Sequence, residues 1–332
     1  MTFEIVKYED KYQKQWDQFV MNQSVNGTFL QTRNFLNYHP DGRFKDASVL
    51  VMQGTNIVAV VPACDTIDEG KRCFFSHKGS TYGGIILDRK KYNVSTMDIL
   101  LPCLDEYLVS ERYESALLKA TSDIFSEKDM DLLDYYLFKN GYSQFDELSF
   151  YIDVENAPED LTKIMSSSRR RDYRYSLKNN LEFRRLESDA EIEEFYKILC
   201  KNLKRFQTIP VHTLDELLEM KHCRLTEIVD FYGVFYQEKM IAGTMLFHFK
   251  KQVLHTQYLA QDADYSELFT MNYLDFSLIQ LTREKGFSKF SFGISTEERG
   301  KVLNKGLALF KEGFGCDYCI NRSYMKDFNI CQ

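Results

Sequence analysis

Apolar positions along the first half of the chain alternate between two periods, and each change of period marks a new element. Phe3 to Val6 alternates as a short strand, and Tyr12, Trp16, Phe19 and Val20 carry helical spacing through the stretch from Tyr8 to Met21. Ala47 to Met52 and Asn56 to Ala63 read as antiparallel strands around Gln53, Gly54 and Thr55, where the glycine supplies the positive φ of a tight hairpin. Cys73 to Ser76 and Ser115 to Ala120 read as further strands. Helices are expected from Val94 to Ser110 and from Lys128 to Asn140, the second stopped by Gly141. In the second half, Ser188 with Glu191 and Thr213 with Glu216 have the spacing of capping boxes, the first opening a helix to about Phe206. Three strands follow, Ile228 to Tyr236, Met240 to Phe249 and Gln252 to Ala260, turned by Gln237 to Lys239 and by Lys250 and Lys251. Leu268, Met271, Leu274, Leu278 and Leu281 then mark a long amphipathic helix ended by Gly286. A strand from Lys289 to Gly293, a helix from Leu303 to Lys311 and strands from Tyr318 onward complete the set.

An antiparallel meander, a helix, a strand parallel to the last one, a helix and a closing strand is the element order of an N-acetyltransferase fold. The helix makes a right-handed crossover between two strands of one sheet. In that fold the two parallel strands part, and freed backbone amides face an acyl thioester. The first half reads as a weaker copy. Asn156 to Asp160, with Pro158, breaks both periodicities, so the expected organisation is α/β (α+β) with two domains, 1–155 and 156–332.

The bulk numbers agree with two folded domains. The chain has 332 residues, 44% hydrophobic and 14% aromatic, which is long enough for two cores and too apolar for disorder. A net charge of −7 opposes general binding to nucleic acid or anionic membrane, so any polyanion site must be local. The opening MTFEIVKYEDKYQKQW has neither a leader's apolar core nor an anchor, and no apolar run reaches the ~18 residues of a spanning helix. Cys64, Cys73, Cys103, Cys200, Cys223, Cys316, Cys319 and Cys331 are widely spread, as reduced thiols in a cytoplasmic protein would be. Cys316 and Cys319 make one CxxC with no second pair at zinc spacing, so no metal is expected.

Four segments carry a resemblance. SRRRDYRYSLKNNLEF, NGTFLQTRNFL, HKGSTYGG and above all FSKFSFGISTEERGKVLNKGLALFKEGFG, with its Phe310–Lys311 pair and aromatic-glycine stop, are similar to the Fem-type (FemAB-like) aminoacyltransferases of the acetyltransferase (GNAT) superfamily. The resemblance implies tandem GNAT domains, an acceptor side in the first and an acyl-donor side in the second. It implies bacterial transfer of an acetyl, acyl or aminoacyl group to an amine or hydroxyl of a cell-envelope polysaccharide or peptidoglycan precursor. The donor would be acyl-coenzyme A or aminoacyl-tRNA. Where acyl-coenzyme A enzymes of this kind have a glycine-rich turn, this chain has QDADYSELF, whose Asp262, Asp264 and Glu267 oppose a pyrophosphate. A degenerate fold that binds glycan or protein is the non-enzymatic alternative.

The resemblance gives Lys311 the task of stabilising negative charge on phosphate or on the tetrahedral intermediate, against the plain reading of a surface lysine. His255, in LHTQYLA, could take a proton from the acceptor, although a lone strand histidine is more often structural. Glu297 and Glu298 are rival bases, with solvated loop acids as the common alternative. Substrate contacts are expected from His77, Gly79, Ser80, Thr81 and Tyr82 in the glycine-bearing loop, from the basic cluster Arg169, Arg170, Arg171, Arg174 and Lys178, and from Tyr258 and Ser295. Turn chemistry and a solvated helix face are the bland counterparts.

Overall fold

The computed structural model describes residues 2–40, 42–250 and 252–328. Cys331 and Lys251 therefore lie outside the described residues. The chain divides into two compact units, one of residues 1–147, 298–300 and 320–332, the other of 148–297 and 301–319.

The first unit opens with β1 (Glu4–Lys7), α1 (Gln13–Gln18), α2 (Arg33–Leu36) and β2 (Lys45–Asp46). The helical stretch expected up to Met21 is broken: a 3-10 turn precedes α1 and a wider π turn follows it. A hairpin of β3 (Val49–Gln53) and β4 (Asn56–Val61) turns on Gly54 at φ +61°, and β5 (Cys64–Asp68) and β6 (Lys71–Ser76) make the next one. After β7 (Ile86–Leu87), α3 (Val94–Ser110) begins where the Asn93 side chain accepts from the Thr96 amide. β8 (Ser115–Lys119) and α4 (Asp131–Lys139) follow, with Gly141 at φ +82° ending the helix. One four-stranded sheet has the order β1-β3-β4-β7. Trp16, Phe19 and Val20 cover one of its faces through Leu50, Ile57 and Val60. The opposite side chains, Val49, Val51 and Val58, join Leu100, Leu104 and Leu108 of α3 in the main core. That alternation explains why both faces of β3 and β4 are apolar.

β9 (Ser143–Asp153) runs from the first unit into the second. The second unit continues with α5 (Ser167–Ser176), β10 (Glu182–Arg185), α6 (Asp189–Lys204) and α7 (Leu214–Glu219). Both expected capping boxes are present, Ser188 with Glu191 and Thr213 with Glu216. The meander is β11 (Val229–Tyr236), β12 (Lys239–Phe249) and β13 (Val253–Gln261). Its first turn places Gln237 and Glu238 at positive φ without a glycine. α8 (Thr270–Glu284), β14 (Lys289–Ile294), a small ribbon of β15 (Thr296–Glu297) with β16 (Val302–Leu303), α9 (Lys305–Glu312) and β17 (Asp317–Asp327) complete the chain. Within this unit the strand order is β10-β11-β12-β13-β14-β9. β9, β10, β5 and the short β2 and β7 were not legible in the apolar pattern. In β9, SQFDELSFYID places acids where alternation would need apolar residues.

Leu274, Leu278 and Ile279 of α8 pack with Ile241, Leu246, Leu254 and Phe290 to form the second core. α6 lies against β12 and β13, and Gly243 makes room for it: a Cβ there would stand 2.6 Å from the Phe195 ring. Arg283 of α8 donates to the carbonyls of Val154, Ala157, Pro158 and Glu159, tying down the proline-bearing stretch that follows β9. Ile320 onward belongs to the first unit, where Ser323 to Asp327 pair antiparallel with Lys119 to Ser115 of β8 and Tyr324 is fully buried in the main core.

Candidate active site

In the second unit β13 and β14 run parallel, and their pairing stops early. Val253, Leu254 and His255 register with Lys289, Phe290 and Ser291, and no further pair forms although β13 continues to Gln261 and β14 to Ile294. Each strand stays paired on its outer side, β13 with β12 and β14 with β9. Both outer ladders slip at the same level. Tyr258 and Thr256 face the consecutive residues Met245 and Leu246, leaving Gln257 extra, and Gly293 and Ser291 face Phe150 and Tyr151, leaving Phe292 extra. A one-residue bulge bends and twists its strand, so two bulges at one level drive the strands apart. The result is a fork whose inner edges are not hydrogen-bonded to each other.

Side chains line the base of the fork. His255 Nδ1 lies 3.0 Å from Ser291 Oγ, and the Thr256 hydroxyl donates to the Ser291 carbonyl at 3.3 Å. Gly293 takes φ +73°, and a Cβ there would come within 3.2 Å of the His255 ring. Burial pushes the His255 imidazole down to about 4, with the Lys311 charge acting in the same direction, so at neutral pH it is uncharged and a weak base.

Lys311, in the last turn of α9, is 5% exposed and points back to the fork. Its ammonium donates to the carbonyls of Gly293 at 3.0 Å and Ile294 at 2.7 Å. Two of its three protons are thereby committed, and the ammonium also lies over the Phe150 ring, 5.5 Å from the centroid. Burial pulls its pKa down to about 8, against the opposing influence of Cys316 and Asp275. Asp275 on α8 is fully buried, and neither carboxylate oxygen has a hydrogen-bond partner among the described residues. Burial raises it to about 8, moderated by Arg169 and Lys311. The sequence did contain a signal for it: Asp275 stands in the buried stripe of α8, four residues after Met271 and three before Leu278.

The other candidates fall in several places. Arg169 donates to Asn272 Oδ1 at 2.6 Å and stacks over the rings of Phe310 and Phe314, with Gly313 giving it room. Arg170 caps the carbonyls of Thr162, Lys163 and Met165, and Arg171 pairs with Asp172. Arg174 and Lys178 are exposed on and just after α5. The Tyr258 hydroxyl is engaged by His212, whose Nδ1 lies 2.6 Å away and whose amide donates at 3.3 Å, and burial pushes that phenol up to about 12. The Ser295 hydroxyl is buried and unpartnered among the described residues. Glu297 is exposed on β15, and Glu298 is exposed at φ +51° in the first unit. The structure thus brings Lys311 and His255 to the fork, and leaves both glutamates in solvent.

The turn before α8 tests the fit of a coenzyme A pyrophosphate. Asp262 Oδ1 accepts from the Asp264 amide at 3.2 Å, and Lys201 pairs with Asp262 at 2.7 Å and Asp264 at 3.0 Å. A side-chain carboxylate already occupies the anion position, so this turn does not fit a pyrophosphate.

In the first unit the matching parallel pair is β6 and β8, in register from Cys73 with Ser115 to Ser76 with Leu118. Beyond it the chain folds back. Gly83 donates to the Lys119 carbonyl at 2.8 Å, and Gly84 is bonded to the Ser76 hydroxyl at 2.8 Å. A Cβ on Gly83 would stand 2.4 Å from the backbone of both Ser76 and His77. In this loop His77 is buried, accepts from the Gly79 amide at Nδ1, and is pushed down to about 3 by burial. The Ser80 carbonyl accepts from the ammonium of the half-buried Lys119, Thr81 is exposed, and the Tyr82 hydroxyl lies 3.4 Å from Asn321 Oδ1. A cavity of about 300 Å³ opens beside His77, between His39, Phe44 and the Arg33–Asp46 ion pair.

No helix among the described residues is long and apolar enough to cross a membrane. The seven described cysteines are free, and no group of His, Cys, Asp or Glu among the described residues has the arrangement of a metal site.

No family model matches the chain, and no curated protein matches it by sequence. Solved structures do. FemX superposes with a TM-score of 0.69 at 12% identity, over 98% of each chain. L-PGS from Bacillus licheniformis gives 0.62 at 11% identity, over 97% of this chain and 93% of that one. A tandem GNAT protein from the clavulanic acid biosynthesis pathway gives 0.58 at 7% identity, over 98% of both. The chain has the tandem, Fem- and GNAT-like α/β fold of these proteins.

Proposed function

We propose that the chain is a cytoplasmic acyltransferase that moves an acetyl, acyl or aminoacyl group from an activated ester to an amine or hydroxyl of a cell-envelope precursor. The reading rests on one observation, the parting of β13 and β14 after His255 and Ser291. A carbonyl lying in that fork would meet the parted strand edges and the Lys311 ammonium, whose charge can hold the negative charge of a tetrahedral intermediate. His255, neutral and weakly basic, lies against Ser291 Oγ, which in turn accepts from the Gly293 amide at the base of the fork. In this reading residues 156–332 bind the donor, and residues 1–155 bind the acceptor through the loop His77 to Tyr82.

The carboxylate-capped turn before α8 favours a donor that places no pyrophosphate there. An aminoacyl-tRNA meets that condition, with Arg174 and Lys178 available to its phosphates. The test offers purified protein an acyl-coenzyme A panel and an aminoacyl-tRNA panel, and follows ester loss for the natural chain and for Lys311→Ala. The reading expects turnover of a tRNA-borne donor and its collapse in the folded variant. Unchanged turnover in Lys311→Ala would remove the lysine from the chemistry, and binding without turnover across both panels would make the chain a binding module.

A further inference from the structure

The segment joining α6 to α7 carries the most exposed group of large apolar side chains in the second unit. Phe206, Ile209 and Val211 leave 68%, 81% and 66% of their surface open, whereas no other large apolar residue of this unit exceeds 54% among those described. The segment is held at both ends. Gln207, at φ +56°, donates to the Lys204 carbonyl, and Thr208 donates to that of Leu203. At the far end His212 is buried, bonded to the Tyr258 hydroxyl, and its carbonyl accepts from Tyr196 at 3.1 Å. Pro210 narrows the backbone choices between these roots. A fixed crest therefore keeps three apolar side chains in water, a standing cost that burial against something else would relieve.

Lys204 and Arg205 stand exposed at the base of the crest, and neither forms an ion pair among the described residues. Lys201, one turn back, is committed to Asp262 and Asp264, and Asp215 is the exposed acid on the α7 side. The crest thus presents apolar tips over a cationic foot on a chain of net charge −7.

We propose that this crest docks the protein on an anionic lipid bilayer, with Phe206, Ile209 and Val211 entering the interface and Lys204 and Arg205 meeting the headgroups. Two arguments select a bilayer over a second protein surface. The three side chains offer about 400 Å² of apolar area, well below the ~800 Å² per partner of a stable protein interface. A bilayer also needs no matching shape, and it favours the combination of apolar tip and basic foot. The proposal stands independently of the acyl-transfer reading.

Co-sedimentation of the full chain with phosphatidylcholine vesicles, with and without phosphatidylglycerol, tests it. The natural chain should pellet with the phosphatidylglycerol vesicles, and Phe206→Ser/Ile209→Ser/Val211→Ser, with an unchanged melting temperature, should bind at least tenfold more weakly. Lys204→Glu/Arg205→Glu should lose the preference for anionic over neutral vesicles. Ile209→Asp alone serves should the triple variant fail to fold, with the same expected loss. The proposal is overturned if the natural chain stays in the supernatant, if the apolar variants pellet as well as it does, or if they convert a dimer to a monomer in sedimentation velocity.

Discussion

The parallel pairs of the two units are built from the same parts and finished in opposite ways. Each has a histidine held neutral by burial, His77 and His255, and each has a lysine lowered to about 8 by desolvation, the half-buried Lys119 and the buried Lys311. Each lysine faces a carboxyl raised by burial, Glu147 and Asp275. In the first unit the chain returns through Gly83 and Gly84 and bonds to β8, filling the space past the last pair. In the second, bulges at Gln257 and Phe292 part the strands, and the Lys311 ammonium bonds the Gly293 and Ile294 carbonyls past the last pair. Desolvated lysines, carboxyls and histidines are therefore not enough to mark a reaction centre. What separates the two pairs is whether the main chain itself closes the space past the last pair.

The largest expected contrast concerns the two carboxyls. Asp275 has a folded value of about 8 against about 3.9 unfolded, so the folded chain binds the extra proton between these values and stability falls as pH rises through them. Urea unfolding should show a decline on the order of 3–5 kcal/mol from about pH 4 to pH 8. Asp275→Asn should flatten it, and Glu147→Gln, whose parent is only partly buried, should remove a smaller share. An unchanged slope in Asp275→Asn would mean that the carboxyl is paired in solution.

Turnover should divide the lysines next. Lys311→Ala is expected to lose about 100- to 1,000-fold in kcat, whereas Lys119→Met, which frees the Ser80 carbonyl of the acceptor loop, should raise KM and keep kcat within about twofold. Equal losses would erase the contrast. Because Lys311 acts as an ammonium with a value of about 8, kcat should also fall as pH rises through about 8, a limb absent from Lys311→Ala.

Glycine substitutions probe the backbone itself. Gly83→Ala drives a methyl into Ser76 and His77 and should cost about 3 kcal/mol in urea unfolding. Gly293→Ala meets only a His255 ring edge and a left-handed φ, for about 1 kcal/mol. Reversal of that order would place the tighter backbone in the second unit.

Much of the frame was legible in the sequence because local chemistry specifies it. The capping boxes at Ser188 and Thr213, the Gly54 hairpin, and the apolar stripe of α8 each depend on residues a few positions apart. The parting of the strands was expected from the element order, but its cause was not, since a bulge is defined by the register of a neighbouring strand and Gln257 and Phe292 carry no local mark. β9, whose ladder with β14 contains one of those bulges, was itself hidden by its acids. The basic cluster was visible as charge, yet only packing against Phe310, Phe314 and the carbonyls of residues 162–165 decides that Arg169 and Arg170 turn inward while Arg174 stays in solvent.

The last strand has a consequence for how the molecule is made. Ser323 to Asp327 close one edge of β8 and deliver Tyr324 to the core that α3 and α4 already share. On the ribosome, the first 150 residues emerge long before these do, so the N-terminal half must wait, with an open strand edge, until Ser323 to Asp327 have been made. A frameshift that rewrites residues 323–327 would therefore injure a sheet whose other strands were made about 200 residues earlier.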